Sequence, residues 1–348
     1  MALELSNFLE TNKSRLSPLL ILMHDYPDPD ALASAFALQH LAEIKGGIRS
    51  RIVYGKEIGR IENQEMVRLL KIPVYKIRPS DFRQFASIAL VDTQPGFENN
   101  SLPADRTPTI VIDQHVLNSM PPIEFRLIDT KAGATSMLLA RELLALTAQI
   151  PVNLATALVY GILSDTLNFS RMAKQETVET YLRLLSFSDV HVLARIQNPR
   201  RPRRFFRDLA NCIVRSRVRQ RLIVSHLGPV ENPDVVSQMA DLLLVCEGIE
   251  WAFCTGRHGD NIHVSLRTSI PEAGAGLILR DIFSDTRQAG GHGQIAGGKL
   301  RVKSGQNEEE WANAEEMLTD KLAERLHLQR NTSFHPLVQD GTQKFPRG

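Results

Sequence analysis

Cysteine is scarce in this chain of 348 residues, which has three cysteines and no CxxC pair. So few cysteines exclude a disulfide framework and indicate a reducing cytoplasm. Long hydrophobic runs are missing too, since no apolar stretch approaches the roughly 20 residues that cross a bilayer. The first 15 residues carry acidic side chains and no basic-then-apolar signal pattern. We therefore expect neither export nor a membrane partner.

An excess of charge of one sign is also lacking. The 41 basic and 39 acidic residues leave a formal net charge of +2, which indicates no particular partner. Hydrophobic residues make up 43% and charged residues 23% of the chain, as in folded globular proteins. The length is sufficient for two domains, each with its own core.

The first half of the chain alternates short β-rich runs with helical stretches. Continuous apolar runs at 88–91 and 110–112 are typical of parallel strands that are buried on both faces. Segments 31–43 and 132–146 have apolar residues at helical spacing. The pattern predicts an α/β fold: an N-terminal domain with a mainly parallel sheet flanked by helices, and a smaller C-terminal α/β domain.

An arginine-rich stretch marks a predicted domain boundary. Residues 195–221 hold ten arginines against a single acid, Asp208. These arginines, with Phe205 and Phe206, either steer and stack a nucleic acid or form the solvated face of a connecting helix. Both interpretations stay open at this point. The predicted boundaries are 1–190 for the first domain, 191–220 for an arginine-rich linker, 221–330 for the second domain and 331–348 for a flexible tail.

Apolar strands or helices run directly into acidic residues at four places in the first half. Ligands bind outside the carboxyl ends of strands in an open α/β sheet, so acids from distant segments can converge there. Two carboxylates about 4 Å apart repel by roughly 4 kcal/mol at a surface-like dielectric. Such a cluster therefore requires cations or bound protons. The residues concerned are His24, Asp28, Asp30, Asp92, Asp113, His115 and Asp165.

Each of these residues has a simpler structural interpretation when it is taken singly. Asp30 could cap the following helix, Asp28 could hold a turn, and His24 could be a structural histidine. As a group they favour a divalent ion with oxygen-rich ligands and an imidazole. Because these segments offer no thiolate, manganese or magnesium fits the ligand set better than structural zinc.

Five segments occur in a specific order along the chain: "MHDYPDPDALASAFAL", "ALVDT", "VIDQHVLN", "AGATSMLL" and "YGILSDTLNFS". The first is similar to an H-x-x-x-D-x-D motif, and the third to a D-H-H motif. Together they resemble the DHH–DHHA1 phosphoesterases, the RecJ-like group of nanoRNase/pAp phosphatases and dinucleotide phosphodiesterases. The resemblance extends from about residue 18 to 303. One motif alone would be weak evidence, but five in order are specific.

The resemblance implies hydrolysis of phosphoester bonds in short oligonucleotides or nucleotides such as pApA, nanoRNA or pAp. Up to two divalent ions per chain, Mn²⁺ or Mg²⁺, would activate the attacking water. The implied catalytic residues are Asp113 and His115, with His115 touching the substrate phosphate or the leaving group. The implied metal ligands are His24, Asp28, Asp92 and Asp165 for one ion, and Asp30, Asp92 and Asp165 for the second.

One position departs from the pattern of the family. Gln114 stands where the first histidine of D-H-H normally ligates the second metal, and a glutamine carbonyl is the weaker ligand. This leaves a second hypothesis, a nucleotide-binding regulator that kept the fold and lost turnover. An exonuclease on longer single-stranded DNA is less favoured, because the chain is too short for an added nucleic-acid-binding domain.

The second domain carries "GGHGQIAGG" at residues 290–298, which is similar to the DHHA1 motif G-G-G-H-x-x-A-A-G and argues against an inorganic pyrophosphatase. Glycines let backbone N–H groups face an anion, and Arg267 offers a bidentate grip on phosphate. The alternatives are a plain glycine turn and a surface arginine. We expect substrate between the two domains and a possible homodimer. The implied substrate-binding residues are Arg267, Gly290, Gly291, His292 and Gly293.

Overall fold

Short apolar segments of the first unit form six strands that pair in one parallel sheet. The order across the sheet is β3-β2-β1-β4-β5-β6, so the direction of winding reverses between β1 and β4. That reversal opens a crevice at the carboxyl ends of these two strands. The strands are β1 (Leu19–Leu22), β2 (Ser50–Tyr54), β3 (Val74–Lys76), β4 (Ser87–Val91), β5 (Ile110–Asp113) and β6 (Phe125–Ile128).

Apolar side chains on both faces of these strands bury the sheet between two layers. On β1, Leu19 and Ile21 belong to the larger hydrophobic cluster, whereas Leu20 and Leu22 belong to a smaller cluster on the other face. The helix that follows β1, α3 (Pro29–Gly46), begins where Asp28 accepts a hydrogen bond from the Ala31 N–H (2.9 Å). The helices are α1 (Glu4–Thr11), α2 (Lys13–Leu16), α3 (Pro29–Gly46), α4 (Ile61–Leu70), α5 (Asp81–Gln84), α6 (Thr135–Ala145), α7 (Val152–Asp165), α8 (Gln175–Leu185) and α9 (Val190–Gln197).

A second sheet of seven strands forms the other unit, in the order β11-β12-β10-β9-β8-β7-β13. Only the β8–β9 pair within it is parallel. Its strands are β7 (Arg217–Arg219), β8 (Leu222–Pro229), β9 (Trp251–His258), β10 (Asn261–Thr268), β11 (Ala289–His292), β12 (Ile295–Arg301) and β13 (His335–Pro336). Its helices are α10 (Arg203–Arg215), α11 (Asp234–Leu243), α12 (Ala275–Ile282) and α13 (Glu308–Arg325).

Two hydrophobic clusters cover the faces of this second sheet. Phe253 of β9 packs with residues of α12 and α13, and its neighbours Ala252 and Cys254 pack with residues of α10 and α11. The hairpin between β9 and β10 turns at Gly259 and Asp260. The two α/β units confirm the predicted fold class.

The boundary between the units falls after residue 200, which gives Met1–Arg200 and Arg201–Gly348. The segment 191–220, predicted as a linker, contains most of α9 and the whole of α10, and these pack in different units. In the predicted tail, β13 pairs with β7, and residues 339–348 lie outside the described part of the chain. The computed structural model describes residues 3–85, 87–97, 99–116, 121–146, 149–169, 174–283, 288–302, 307–329 and 331–338.

Across these described ranges, none of the helices has both the length and the apolar composition of a membrane span.

A buried polar network joins the second sheet to α13. The Nδ1 of His226 lies 2.9 Å from the Thr255 hydroxyl, and Thr255 donates to Glu315 Oε1 at 2.9 Å. Arg257 Nη2 donates to Glu315 Oε2 at 2.6 Å. Burial lowers the pKa of His226 to about 4, although the nearby carboxylate of Glu316 acts in the opposite direction. The imidazole of His226 is therefore neutral at neutral pH.

We predict that the second unit loses stability as the pH falls from about 6.5 to about 4, because unfolded His226 binds a proton that the folded residue does not. The pKa of His226 is about 4 in the folded chain and near 6.5 in the unfolded chain. At about pH 5 this residue therefore lowers the free energy of unfolding by on the order of 2 kcal/mol. Both tryptophans of the chain, Trp251 and Trp311, lie in this unit, so their fluorescence during urea unfolding reports on it. His226→Asn should reduce this pH dependence, while His191→Asn in the other unit should not. His263 of β10, whose pKa burial also lowers to about 4, accounts for the part that remains. Equal pH slopes for His226→Asn and the unmodified chain would contradict the prediction.

Candidate metal centre

The ends of β1 and β4 lie side by side where the strand order reverses. His24 comes two residues after β1, and Asp92 follows β4 directly. The backbone of Asp92 is left-handed (φ 57°), a conformation that aspartate tolerates better than most residues. This turn starts at the end of the strand, and the carboxylate of Asp92 is almost fully buried.

Three potential metal ligands meet at this edge of the sheet. His24 Nε2 lies 3.8 Å from Asp28 Oδ1 and 3.7 Å from Asp92 Oδ2. One donor atom from each of the three residues lies within 4.8 Å of the others. Around an octahedral ion with bonds of about 2.1 Å, neighbouring and opposite ligand atoms are separated by about 3.0 to 4.3 Å. The donor types and their spacing therefore fit a divalent ion.

A second group of ligand types includes Asp92 and lies at the end of β5. His115 Nδ1 lies 2.7 Å from Asp113 Oδ1 and 3.7 Å from Asp92 Oδ1. The other oxygen of Asp113 accepts a hydrogen bond from Gln94 Nε2 at 2.7 Å. Asp113 is completely buried, so these contacts fix the orientation of the His115 ring. Both predicted catalytic residues therefore lie beside the candidate ligands.

Asp30 does not cap its own helix, because that role belongs to Asp28. The two carboxylate oxygens of Asp30 accept hydrogen bonds from the backbone N–H groups of Thr135 (2.7 Å) and Ser136 (2.8 Å). These are the first residues of α6, where N–H groups have no partner within the helix and the helix dipole favours an anion. Asp30 thus joins α3 to α6, and its role as a ligand of a second ion stays a prediction.

Mutual repulsion dominates the electrostatics of the cluster. Burial raises the pKa of Asp92 well above its usual range, and the carboxylates of Asp30, Asp28 and Asp165 raise it further. Burial and the charges of Asp165 and Asp28 do the same to the pKa of Asp30. A divalent cation would remove this penalty, since it attracts each of the charges that repel one another.

Two residues of the cluster are stabilised in their charged form. Burial disfavours the charge of Asp28, but the hydrogen bond with His24 and the Ala31 N–H lower its pKa to about 2. Burial also opposes the charge of His115, and its contact with Asp113 outweighs this and raises the pKa of the imidazole.

Gln114, the departure from the D-H-H pattern, lies inside the cluster. Its side-chain amide donates a hydrogen bond to Asp165 Oδ2, and its backbone N–H donates to Asp113 Oδ1 at 2.8 Å. Asp165 is the last residue of α7. The glutamine therefore contacts a carboxylate that the family resemblance assigns to both ions.

Three polar residues support the cluster and are absent from the residues predicted from sequence. Thr135 donates its hydroxyl to Asp92 Oδ1 at 2.8 Å, in addition to the contact of its N–H with Asp30. Ser136 and Gln94 bind Asp30 and Asp113, as described above. Thr135 and Ser136 stand in the quoted segment "AGATSMLL" at the start of a predicted helix, which is a signal for anion binding. No sequence signal singles out Gln94.

In the second unit, the glycine-rich segment is part of a hairpin. Gly290 and Gly291 belong to β11 and pair with β12, and Gly293 lies in the turn, where its carbonyl accepts from the Ala275 N–H (2.9 Å). A Cβ on Gly291 would overlap the carbonyl oxygen of Ile295. These glycines thus meet a packing requirement, and their contact with substrate stays a prediction. The side chain of His292 lies outside the described residues.

Arg267 of β10 is buried, and its guanidinium contacts protein groups. Its Nε donates to Asp241 Oδ1 at 2.6 Å, and Nη1 donates to the carbonyls of Leu266 and Ala296, both at 3.1 Å. These contacts use two of its three nitrogens, and the grip of Arg267 on a phosphate stays a prediction.

Comparison with known proteins identifies the second unit. Residues 219–324 match the model of the DHHA1 domain. An exopolyphosphatase-related protein from Bacteroides fragilis shares the fold of the chain (TM-score 0.74, 16% identity), over 93% of this chain and 98% of that one. The second unit is a DHHA1 domain. The manganese-bound exonuclease RecJ has a related fold (TM-score 0.50, 16% identity, 93% and 97% coverage).

A relative of this chain occurs in Methanocaldococcus jannaschii, as an uncharacterized protein that is 35% identical over 292 residues. The match covers 84% of this chain and 59% of the archaeal protein. The chain thus spans little more than half the length of that relative.

We predict that Thr135→Val weakens binding of Mn²⁺ to this protein by about tenfold, because Asp92 loses the hydroxyl that orients it. Thr135→Ser keeps the hydroxyl and should bind the ion like the unmodified chain. Isothermal titration of the metal-free proteins with Mn²⁺ measures both affinities. Equal affinity for all three proteins would show that the hydroxyl plays no part in metal binding.

The two neighbouring glycines of β11 provide a matched test of packing. Gly291 has φ 149° and no room for a Cβ, whereas a Cβ on Gly290 would have Arg280 Nη2 as its nearest neighbour at 3.9 Å. We predict that Gly291→Ala lowers the free energy of unfolding of the second unit by about 1–3 kcal/mol. Gly290→Ala should change it by less than about 0.5 kcal/mol. Tryptophan fluorescence in urea measures both, and an equal effect of the two substitutions would refute the assignment.

Proposed function

We propose that this chain is a metal-dependent phosphoesterase that hydrolyses short oligonucleotides or nucleotides such as pApA, nanoRNA or pAp. The observation that carries the proposal is the convergence of His24, Asp28 and Asp92, from two distant segments, with donor atoms within 4.8 Å of one another. The DHHA1 domain and the resemblance of the five motifs to the DHH–DHHA1 phosphoesterases support it. The manganese in the RecJ structure favours a divalent ion, Mn²⁺ or Mg²⁺.

The proposed mechanism assigns a separate role to each part of the cluster. His24, Asp28 and Asp92 hold the ion, and the Thr135 hydroxyl orients Asp92. A bound divalent ion supplies Lewis-acid stabilisation of the phosphate and a water of lowered pKa. Asp113 holds the imidazole of His115 so that it can contact the phosphate or the leaving-group oxygen.

A second ion is part of the proposal, with Asp30, Asp92 and Asp165 as its ligands and Gln114 as a weak fourth. We propose that this position is the weaker of the two. Both oxygens of Asp30 already accept backbone hydrogen bonds, and the amide of Gln114 donates to Asp165.

The contact between Gln114 and Asp165 favours a second candidate function, that of a nucleotide-binding regulator with little or no turnover. An amide N–H that donates to a carboxylate competes with a cation for the same oxygen. A chain of this fold could then bind nucleotide without completing the two-ion site that in-line displacement uses.

A cytoplasmic location and a homodimer also belong to the proposal. The scarcity of cysteine supports the first, and only the family resemblance supports the second.

The test is hydrolysis of pApA, pAp and a short RNA by the purified chain with Mn²⁺ or Mg²⁺, followed by chromatography of the products. We expect product from at least one substrate. Asp92→Asn should reduce the rate by about a thousandfold, since it removes a ligand of the ion that stabilises the transition state. Asp105→Asn, at an exposed acid of the same unit, is the matched control and should keep the full rate.

Gln114→His separates the two candidate functions. A large gain of activity in this variant identifies an enzyme that the glutamine weakens. Binding of nucleotide without product, in both Gln114→His and the unmodified chain, supports the regulator. A chain that neither binds nor hydrolyses any of the three substrates overturns both candidates.

A further inference from the structure

The ten arginines of residues 195–221 differ in how the folded chain uses them. In the second unit most of them contact protein groups: Arg204 pairs with Glu231 (2.6 Å), for example, and Arg221 with Glu250 (3.0 Å). The remaining contacts of this kind are Arg201 over the Phe205 ring, Arg215 with the His226 carbonyl, Arg217 with Glu316, and Arg219 with the Gln329 carbonyl. These six arginines therefore have partners within the second unit.

Arg203 and Arg207 are different. Both are exposed, and no carboxylate of the described residues lies within ion-pair distance of either guanidinium. They stand four positions apart on α10, so their side chains lie on the same face one turn apart. The first turn of α10 contains no acidic residue. Positive charge at the positive end of a helix dipole is unfavourable, which is the reverse of the usual arrangement.

An exposed aromatic side chain, Phe206, directly precedes Arg207 and follows Arg203 by three positions. Phe206 is 58% exposed, although the helix has a buried face that contains Leu209 and Cys212. Its ring meets Phe205 edge-to-face, with centroids 5.7 Å apart and planes at 86°. Phe205 packs against the hydrophobic core, and the guanidinium of Arg201 lies over its ring at 4.7 Å. The exposed ring of Phe206 therefore rests against a residue that is itself fixed by the core.

We propose that Arg203, Phe206 and Arg207 form a binding surface for single-stranded nucleic acid on α10. The guanidiniums contact backbone phosphates, and the exposed ring of Phe206 stacks on a base. Two arginines without an ion-pair partner among the described residues match the charged backbone of a single strand, and the exposed ring next to them matches its bases. An acidic protein would use the charge but leave the ring without a stacking partner.

This surface is additional to the metal centre, and it takes only its class of ligand from the proposed function. Longer oligonucleotides would gain affinity from α10, whereas a mononucleotide would be too small to do so.

The test is binding of a fluorescently labelled single-stranded RNA of about ten nucleotides to the full chain, followed by anisotropy. A chelator removes divalent ions, so hydrolysis plays no part. We expect the double variant Arg203→Gln/Arg207→Gln to bind at least about tenfold more weakly at low salt, with a slope of log K against log salt smaller by about 1.4. Phe206→Ala should bind roughly tenfold more weakly with an unchanged slope, because it removes stacking and no charge.

The matched control is Arg221→Gln/Arg325→Gln, which removes the same charge from two exposed ion pairs of the same unit. The proposal is overturned if this control loses as much affinity as Arg203→Gln/Arg207→Gln. It is also overturned if Phe206→Ala binds RNA normally, including the case in which sedimentation shows that Phe206→Ala disrupts self-association instead.

A small chromogenic phosphodiester, bis-p-nitrophenyl phosphate with Mn²⁺, keeps this proposal separate from the proposed function. The α10 variants should hydrolyse it like the unmodified chain. If no protein hydrolyses any substrate while the anisotropy differences persist, the proposed function fails and the α10 surface stands. If hydrolysis occurs and all variants bind RNA equally well, the α10 surface fails and the proposed function stands.

Discussion

Repulsion among carboxylates at the ends of β1 and β4 is the constraint on which the first unit depends. Asp92 is almost fully buried among other acids, which raise its pKa. The surrounding fold supplies hydrogen-bond donors to this cluster: the N-terminus of α6 for Asp30, the Thr135 hydroxyl for Asp92, and Gln94 for Asp113. These donors reduce the repulsion but carry no net charge, so the arrangement favours a cation.

Much of this arrangement is visible in the sequence, because strand ends are easy to locate. Continuous apolar runs predict the parallel strands, and the acids that follow them predict the convergence of His24, Asp28 and Asp92. The strand order explains why these residues meet, since the direction of winding reverses between β1 and β4 and their carboxyl ends are neighbours. In a doubly wound sheet of this order, the ends of the two central strands lie next to each other.

The partners of Asp30 show where sequence reasoning stops. An acid two residues into a helix is usually interpreted as a local cap, and here the N–H groups that it binds come 105 and 106 residues later. Gln94 and Gly291 are similar cases, because their roles depend on atoms of other segments. The arginines of 195–221 are alike in sequence, and only the folded chain distinguishes Arg203 and Arg207 from those with partners.

The side chains near Asp92 that could bind a metal ion come from segments that are far apart in the chain. In the unfolded first unit these side chains are therefore not close together. Any ion that binds there stabilises the folded form alone and raises its free energy of unfolding by mass action. The described residues of the second unit contain no such cluster. The lifetime of the first unit in the presence of a protease would then increase with the concentration of divalent ions. The lifetime of the second unit would not depend on that concentration.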